Sequence, residues 1–346
     1  MKTLLIYIAG IPSEVHVHNT HGAAILEKEL SLYPITTQKA RLVYEFVSHE
    51  QFLASQKHWN EHVWLIEKKN SLIAILRQEK PMKVIFCIVP HKNLLFKTGQ
   101  RWLSNQFTIR EEYVGQIFHE NVLLPALTCL DDVLLVHGAA FKYRGSTFLI
   151  GGKGGVGKTS IELRACFHRA ASFIADDMAI LFKGRLSPNL SYPKIYRYNL
   201  VGETQLRKKL FTSFSLLRRL HWHLYPLLLR KEPRIRINPL QHYKVESSEC
   251  LDYYIIVSRV EKEDVFEHSP ITNEDAGEIS CSIMQEELKQ FQLSEAWFSE
   301  YKKLFNKELS QVKIIQLRVS KTLSHQAYIE RMEQLIAEFS EDRIIS

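Results

Sequence analysis

Residues 151–160 read GGKGGVGKTS, and the fold is decided by how these ten letters are read. From Gly152 the run fits G-x-x-x-x-G-K-[ST], the pattern in which glycines let backbone N–H groups close around a phosphate chain. The stretch Gly152, Lys153, Gly154, Gly155, Val156, Gly157 is therefore expected to supply the backbone cradle. Lys158 is expected to reach the β- and γ-phosphates, with Thr159 on Mg²⁺ and Ser160 completing the loop. The apolar run Ser146–Ile150 leads straight into the glycines, and KTSIELRACFHRAA follows with apolar residues at helical intervals. A strand feeding a helix N-terminus is the context such a loop needs, because the first N–H groups and the helix dipole both face the anion. The sequence thus predicts an α/β unit built around nucleotide phosphate.

Two further polar groups lie at spacings that bring them to the loop. SFIADDMAIL carries Asp176 and Asp177, the first standing 18 residues after Lys158, one helix and one turn away. Two adjacent carboxylates are costly inside an apolar strand, so they are expected at its end, beside a metal or a proton to be moved. His137, 21 residues before Lys158, closes the strand VLLVHGAAF. A histidine satisfied within the core is the alternative for that position.

Composition sets the outer limits. The chain has 346 residues, 45% hydrophobic and 24% charged, enough for two cores and too apolar for disorder. Cysteines 87, 129, 166, 250 and 281 form no C-x-x-C pair and no zinc spacing, which reads as scattered reduced thiols and favours a cytoplasmic setting. The N-terminal MKTLLIYIAGIP is read as a first strand, without the cleavage site of a signal peptide. No stretch reaches the roughly 18 apolar residues of a membrane span. Residues 1–125 alternate short apolar runs with polar turns, the pattern of a separate mixed α/β domain. His16, His18 and His21 there are read as ordinary strand-end residues rather than metal ligands, since alternation gives His16 and His18 one face without a third ligand. From about Thr108 to Leu130 the spacing is helical, with a break at Pro125, and the boundary is set there: 1–125, then 126–346.

The net charge of +7 is unevenly placed. Between Gln205 and Lys244 stand ten Lys or Arg against the single acid Glu232, a local +9. Such a run attracts anions such as an acidic peptide, or is simply a solvated face. Its leucines, in LFTSFSLLRRLHWHLYPLLL, suit either amphipathic packing or a peptide-facing role.

Taken together, HGAAF, GGKGGVGKTS and ASFIADDMAIL, followed by SYPKIYRYNL and HYKVESSECLDYYIIVSRV, resemble the HPr kinase/phosphorylase superfamily of P-loop serine kinases, related in its loop to phosphoenolpyruvate carboxykinase. The resemblance spans roughly residues 125–260. It implies an HPr-kinase-type α/β domain that uses ATP and Mg²⁺ to phosphorylate a serine hydroxyl. It further implies Lys158 on the phosphates, Thr159 at the metal, and one of Asp176 and Asp177 as base with the other near the metal. Asp176 is taken as the base and Asp177 as metal-side, the reverse remaining open. His137 would orient or hold a proton. Phosphoryl transfer needs charge compensation beyond Lys158, for which Arg197, Arg234 and Arg236 are candidates. The glycine-rich signature of the bifunctional HPr enzymes has no counterpart here. The layout looks more like the lasso-peptide tailoring kinases, which phosphorylate the C-terminal serine of a precursor peptide. A peptide or small protein bearing serine is the expected partner, with a homo-oligomer possible and no nucleic acid. A kinase of a free amino acid is an alternative. KGGVGKT also matches the loop of ParA/MinD-type switch ATPases, in which Lys153 would be the signature lysine. Those proteins place the loop near the N-terminus, whereas about 150 residues precede it here.

Overall fold

The structure, a computed structural model, describes residues 1–59, 62–68, 70–89, 99, 102–104, 107 and 110–345. The chain forms two compact units, residues 1–130 with 221–233, and residues 131–220 with 234–346. The sequence expectation placed the division near residue 125 and assigned all later residues to the second domain. Segment 221–233 departs from it by grouping with the first unit.

The first unit carries one six-stranded sheet, β1 (Lys2–Ile8), β2 (Ile11–Val17), β3 (Leu42–Phe46), β4 (Val63–Lys68), β5 (Ser71–Leu76) and β6 (Met82–Ile88), in the order β1-β2-β3-β6-β5-β4. Alternation sends Val15, Tyr44, Phe46, Val84 and Phe86 into the core, where Phe46 stacks on Phe86 at 5.0 Å. The helical stretch expected over 108–130 begins, among described residues, at Arg110 and runs to Gln116. It continues without a break as a π-helical segment Ile117–Leu123 and ends as Leu124–Leu127, so Pro125 lies inside the run, where its missing N–H removes one helical bond next to the π-helical turns. Thr108 and Ile109 lie outside the described residues. His16 is held by Thr3 and Glu14, and no group of three or more His, Cys, Asp or Glu suited to a metal occurs among the described residues.

The second unit begins with β7 (Val133–Val136), β8 (Gly138–Tyr143), β9 (Ser146–Gly151), β10 (Ser172–Ala175), β11 (Ala179–Phe182) and β12 (Arg185–Ser187). It continues through β13 (Lys194–Tyr196), β14 (Arg234–Arg236), β15 (Lys244–Val245), β16 (Glu249–Cys250), β17 (Tyr253–Val260), β18 (Phe266–Pro270) and β19 (Lys313–Ser320). The main sheet has the order β15-β10-β8-β9-β17-β19-β18, and a four-stranded sheet β16-β12-β11-β7 accompanies it. Register aligns Phe141 with Phe148 and Phe148 with Tyr253, giving a ladder of stacked rings at 5.8 and 5.2 Å that ends on Phe339. These pairs fix which end of each strand meets which. Helix Lys158–His168 leaves the end of β9, crosses β8 and returns the chain on β10.

Helix Leu216–Leu229 turns Arg218, His221, Trp222 and Tyr225 inward and leaves Leu217, Leu220, Leu224, Leu227 and Leu228 exposed. Of the two readings left open for these leucines, packing is not what the structure shows; the aromatic and basic side chains take the buried positions. No helix among the described residues is long and apolar enough to cross a membrane.

Candidate functional site

The strand ends that carry the chemistry meet because of two register pairs, Gly138 opposite Gly151 and Ala140 opposite Ala175. β8 lies between the loop strand and the acid strand, so His137, Gly152 and Asp176 emerge together at one end of the sheet. Gly138 cannot carry a side chain there, since a Cβ would stand 2.8 Å from the Ile150 carbonyl oxygen.

The loop itself is shaped by its glycines. Gly152, Gly155 and Gly157 have φ of 142°, 81° and 105°, and a Cβ at Gly152 would strike the Val257 carbonyl oxygen at 2.5 Å. A Cβ on Gly154 or Gly155 would meet nothing within 4 Å. The loop is thus braced on its inner side and open on its outer side, the shape a phosphate chain requires. Arg259 donates to the Val156 carbonyl at 3.2 Å and to that of Ser320 at 3.1 Å while lying over the Tyr328 ring, which fixes the crest of the loop. Ser160 is engaged structurally, its Oγ accepting a 2.6 Å hydrogen bond from Asn199. Lys153, exposed, faces Glu286 at 3.4 Å.

Lys158 is buried and distributes its three N–H groups to the carbonyls of Gly152 (2.8 Å) and Lys153 (3.0 Å) and to Nε2 of His137 (2.9 Å). Burial lowers its pKa, while Asp177, Asp176 and Glu287 oppose that shift. An ammonium has no acceptor capacity, so His137 Nε2 must present its lone pair and the ring proton sits on Nδ1. Burial first, then the neighbouring Lys158 charge, pulls His137 down to about 4, and the ring is neutral at pH 7.

The two acids follow β10 in a tight turn. Asp177 has φ 68°, uncommon for a non-glycine residue, and its carbonyl accepts from Gly138. Asn189 holds the turn by bonding the backbone on both sides of it, at Ile174 and Met178. The pair diverges as a result. Asp176, 1% exposed, accepts a 2.9 Å hydrogen bond from the Thr159 hydroxyl. Burial and the Asp177 charge push it up to about 6, against the hydrogen bond from Thr159. The Asp177 side chain, 40% exposed, pairs with Lys194 at 2.5 Å and faces His137 Nδ1 at 3.8 Å. Burial would raise it, but Lys194, His137 and Lys158 together hold it well below the usual carboxylate range.

Of the residues expected from the sequence, His137, Lys158, Thr159, Asp176 and Asp177 stand together in one polar cluster, held by separate hydrogen bonds and a His137–Asp177 contact. Arg197, Arg234 and Arg236 stand elsewhere. Arg197 is exposed in the turn after β13, Arg234 donates to Tyr196, and Arg236 is buried in β14, where its carbonyl accepts from Arg218. The additional cation at the cluster is Lys194, three residues before Arg197 in the same SYPKIYRYNL. Lys194 lies in β13, opposite Arg236 of β14, a pairing invisible in the sequence, whereas Arg197 follows the strand. Glu287 is a second residue the sequence reading missed. It sits 3.4 Å from His137 Nε2 at the end of helix Asn273–Leu288, 129 positions after Lys158, with no local pattern to mark it.

Beyond the crest of the loop opens a cleft of about 1080 Å³, bordered by Gly154, Gly155, Val257, Ile279, Gln316 and His325. Its mostly apolar wall adjoins a polar phosphate loop, an arrangement suited to a nucleoside attached to phosphates. A hydroxyl hydrogen-bonded to a carboxylate beneath such a loop also suits Mg²⁺, which takes few protein oxygens and relies on phosphates and water for the rest.

No family model matches the chain, and no curated protein matches it. Among solved structures it is similar to the Hpr(Ser) kinase/phosphatase from Coxiella burnetii, at 12% identity and a TM-score of 0.25, over 59% of this chain and 98% of that one. A likeness of that size lends no weight to the reading of this site, whose class rests on its own geometry: an α/β unit with a strand, a phosphate loop, a helix and a divided acid pair.

Proposed function

We propose that the second unit is an ATP-dependent, Mg²⁺-assisted kinase that transfers the γ-phosphoryl group to a serine hydroxyl on a peptide or small protein. The observation that carries the reading is the division of the acid pair. One carboxylate accepts from the Thr159 hydroxyl at the foot of the phosphate loop, while its neighbour faces outward among a lysine, a histidine and a second acid.

A nucleotide switch needs the inner carboxylate; the outer set is what an acceptor hydroxyl needs. In this reading the backbone of Gly152–Gly157 and Lys158 hold the β- and γ-phosphates. Lys158 leaves the two carbonyls and His137 to do so. Thr159 and Asp176 hold Mg²⁺, which neutralises phosphate charge when bound. Asp177 is the outward carboxylate, reachable by an acceptor, and accepts its proton, while Lys194 compensates charge on the transferring group. The roles of Asp176 and Asp177 are thus the reverse of the sequence assignment. Asp176 has the higher proton affinity, but its burial beneath Thr159 keeps it from an acceptor, and reach comes before proton affinity in choosing a base. The absence of a glycine-rich signature after the acids, and the basic run at 205–244, favour an acidic or C-terminal-serine peptide over the HPr protein as acceptor.

The test is mass spectrometry of reactions containing ATP and Mg²⁺ with serine-ending peptides, HPr and free serine, run beside Lys158→Ala and Asp177→Asn. One phosphate added to one acceptor, lost in both variants, is the expected result. Phosphorylation of free serine alone would move the substrate to an amino acid. Hydrolysis without any modified acceptor would favour a switch ATPase, with Lys153 as the next residue to change.

A further inference from the structure

His137 is placed between two carboxylates, Asp177 at Nδ1 (3.8 Å) and Glu287 at Nε2 (3.4 Å), with Lys158 inserted on the Nε2 side at 2.9 Å. While Lys158 donates to Nε2, the ring proton is confined to Nδ1, and Nδ1 offers Asp177 no lone pair. Glu287 has no donor to accept from at that nitrogen and waits beside it, partly exposed. Burial and the nearby Asp177 charge raise its pKa, against the pull of Lys158 and Lys194. Removal of the Lys158 ammonium to a phosphate changes the balance, because Glu287 is then the nearest acceptor for an Nε2–H.

We infer that Glu287 is a positioning residue: it captures the Nε2–H tautomer of His137 once Lys158 turns to the nucleotide, and so exposes the Nδ1 lone pair to Asp177. This deepens the phosphoryl-transfer reading and rests on it for its functional meaning. The logic is that of an orienting carboxylate behind an imidazole. As the acceptor oxygen bonds to the γ-phosphorus, the bridging oxygen departs with its electron pair in ADP. The hydroxyl proton passes to Asp177 and comes to rest on Nδ1, giving an imidazolium flanked by two carboxylates. The imidazole, with Nδ1 3.8 Å behind Asp177, supplies the final store for that proton. Glu287 thereby couples nucleotide engagement by Lys158 to readiness of the acceptor side.

The test reads the tautomer directly, by ¹⁵N–¹H correlation of the imidazoles in the full-length protein, with His137 assigned by His137→Gln. The unliganded protein is expected to show Nδ1–H. Lys158→Met removes the competing donor without any nucleotide and is expected to move the proton to Nε2. In Lys158→Met with Glu287→Ala the proton should return to Nδ1. Lys158→Ala, alone and with Glu287→Ala, repeats the comparison should the Met variant not fold. Identical tautomers in the single and double variants would overturn the inference. Mg²⁺ with a non-hydrolysable ATP analogue should reproduce the Lys158→Met spectrum at His137. Failure of the analogue to bind would defeat the kinase reading, while the Lys158→Met comparison would still decide the role of Glu287.

Discussion

The Thr159 hydroxyl donates to Asp176 Oδ1 at 2.9 Å, so the first turn of the loop helix and the end of the acid strand are joined by one bond. Because both groups are also the candidate Mg²⁺ oxygens, the bond holds a cation site in shape before the cation arrives. Thr159→Val and Asp176→Asn should each weaken Mg²⁺-dependent nucleotide binding by about ten- to a hundredfold, the range of a charge-assisted hydrogen bond. The double variant should lose little more than the worse single one, as expected for two groups acting as a unit. Calorimetric titration with and without Mg²⁺ measures all three, and additive losses would mean the two residues act separately.

Asp176 also sets a pH dependence of stability. Its native pKa lies near 6 against 3.8 for the ordinary carboxyl, so the folded protein binds a proton more readily than the unfolded chain between those values. Stability from this group is therefore fullest below the unfolded pKa and declines as pH rises through about 4 to 6. At pH 7 the ionised, buried carboxylate costs on the order of 1–3 kcal/mol. Asp176→Asn keeps an acceptor for Thr159 and removes that cost, so the variant should melt higher than the parent protein at pH 7 and show little advantage at pH 4. Thermal denaturation across that range checks it. A variant less stable than the parent at pH 7 would contradict the assignment.

These relationships explain how far the sequence could be read. The phosphate loop was legible because its glycines and lysine act locally, within ten residues of chain. The acid pair and His137 were legible because one helix or one hairpin separates them from the loop. The strands of residues 1–125 followed from alternation, which is also local. Lys194 was not singled out because nothing local separates it from Arg197, three residues on; only the fold sets it against Asp177. Glu287 left no local trace, since QEEL is an unremarkable helix end until the fold sets Glu286 beside Lys153 and Glu287 beside His137. The leucines of 216–229 stayed undecided between packing and exposure for a related reason. Periodicity gives a helix an apolar stripe but does not say which stripe the fold will cover, and here Trp222, Tyr225 and His221 are the covered ones.

Lys194 and Arg197 provide a direct contrast within one short segment. Lys194 is paired with Asp177, whereas Arg197 is exposed in the turn after β13. Removing a preorganised cation at a transferring phosphoryl group costs roughly 10²–10³ in rate, so Lys194→Ala should lower kcat by about that factor with a smaller change in KM for ATP. Arg197→Ala should remain within about twofold of the parent protein, as surface substitutions usually do. Steady-state kinetics on the identified acceptor distinguishes the two, and the opposite ranking would return the charge-stabilising role to Arg197.

Arg236 answers to a different measurement from either. It is 1% exposed in a two-stranded ribbon, its backbone carbonyl receiving the buried Arg218 side chain at 2.9 Å. A guanidinium held that deeply is part of the packing of β14, so its removal leaves a void in a buried region. Arg236→Ala should therefore destabilise the fold by about 3 kcal/mol, the range for emptying the space of a large buried side chain. The nucleotide affinity of the fraction that remains folded should be unchanged. Denaturant titration together with nucleotide binding under folding conditions separates these effects. A loss of binding without a loss of stability would place Arg236 at the site after all.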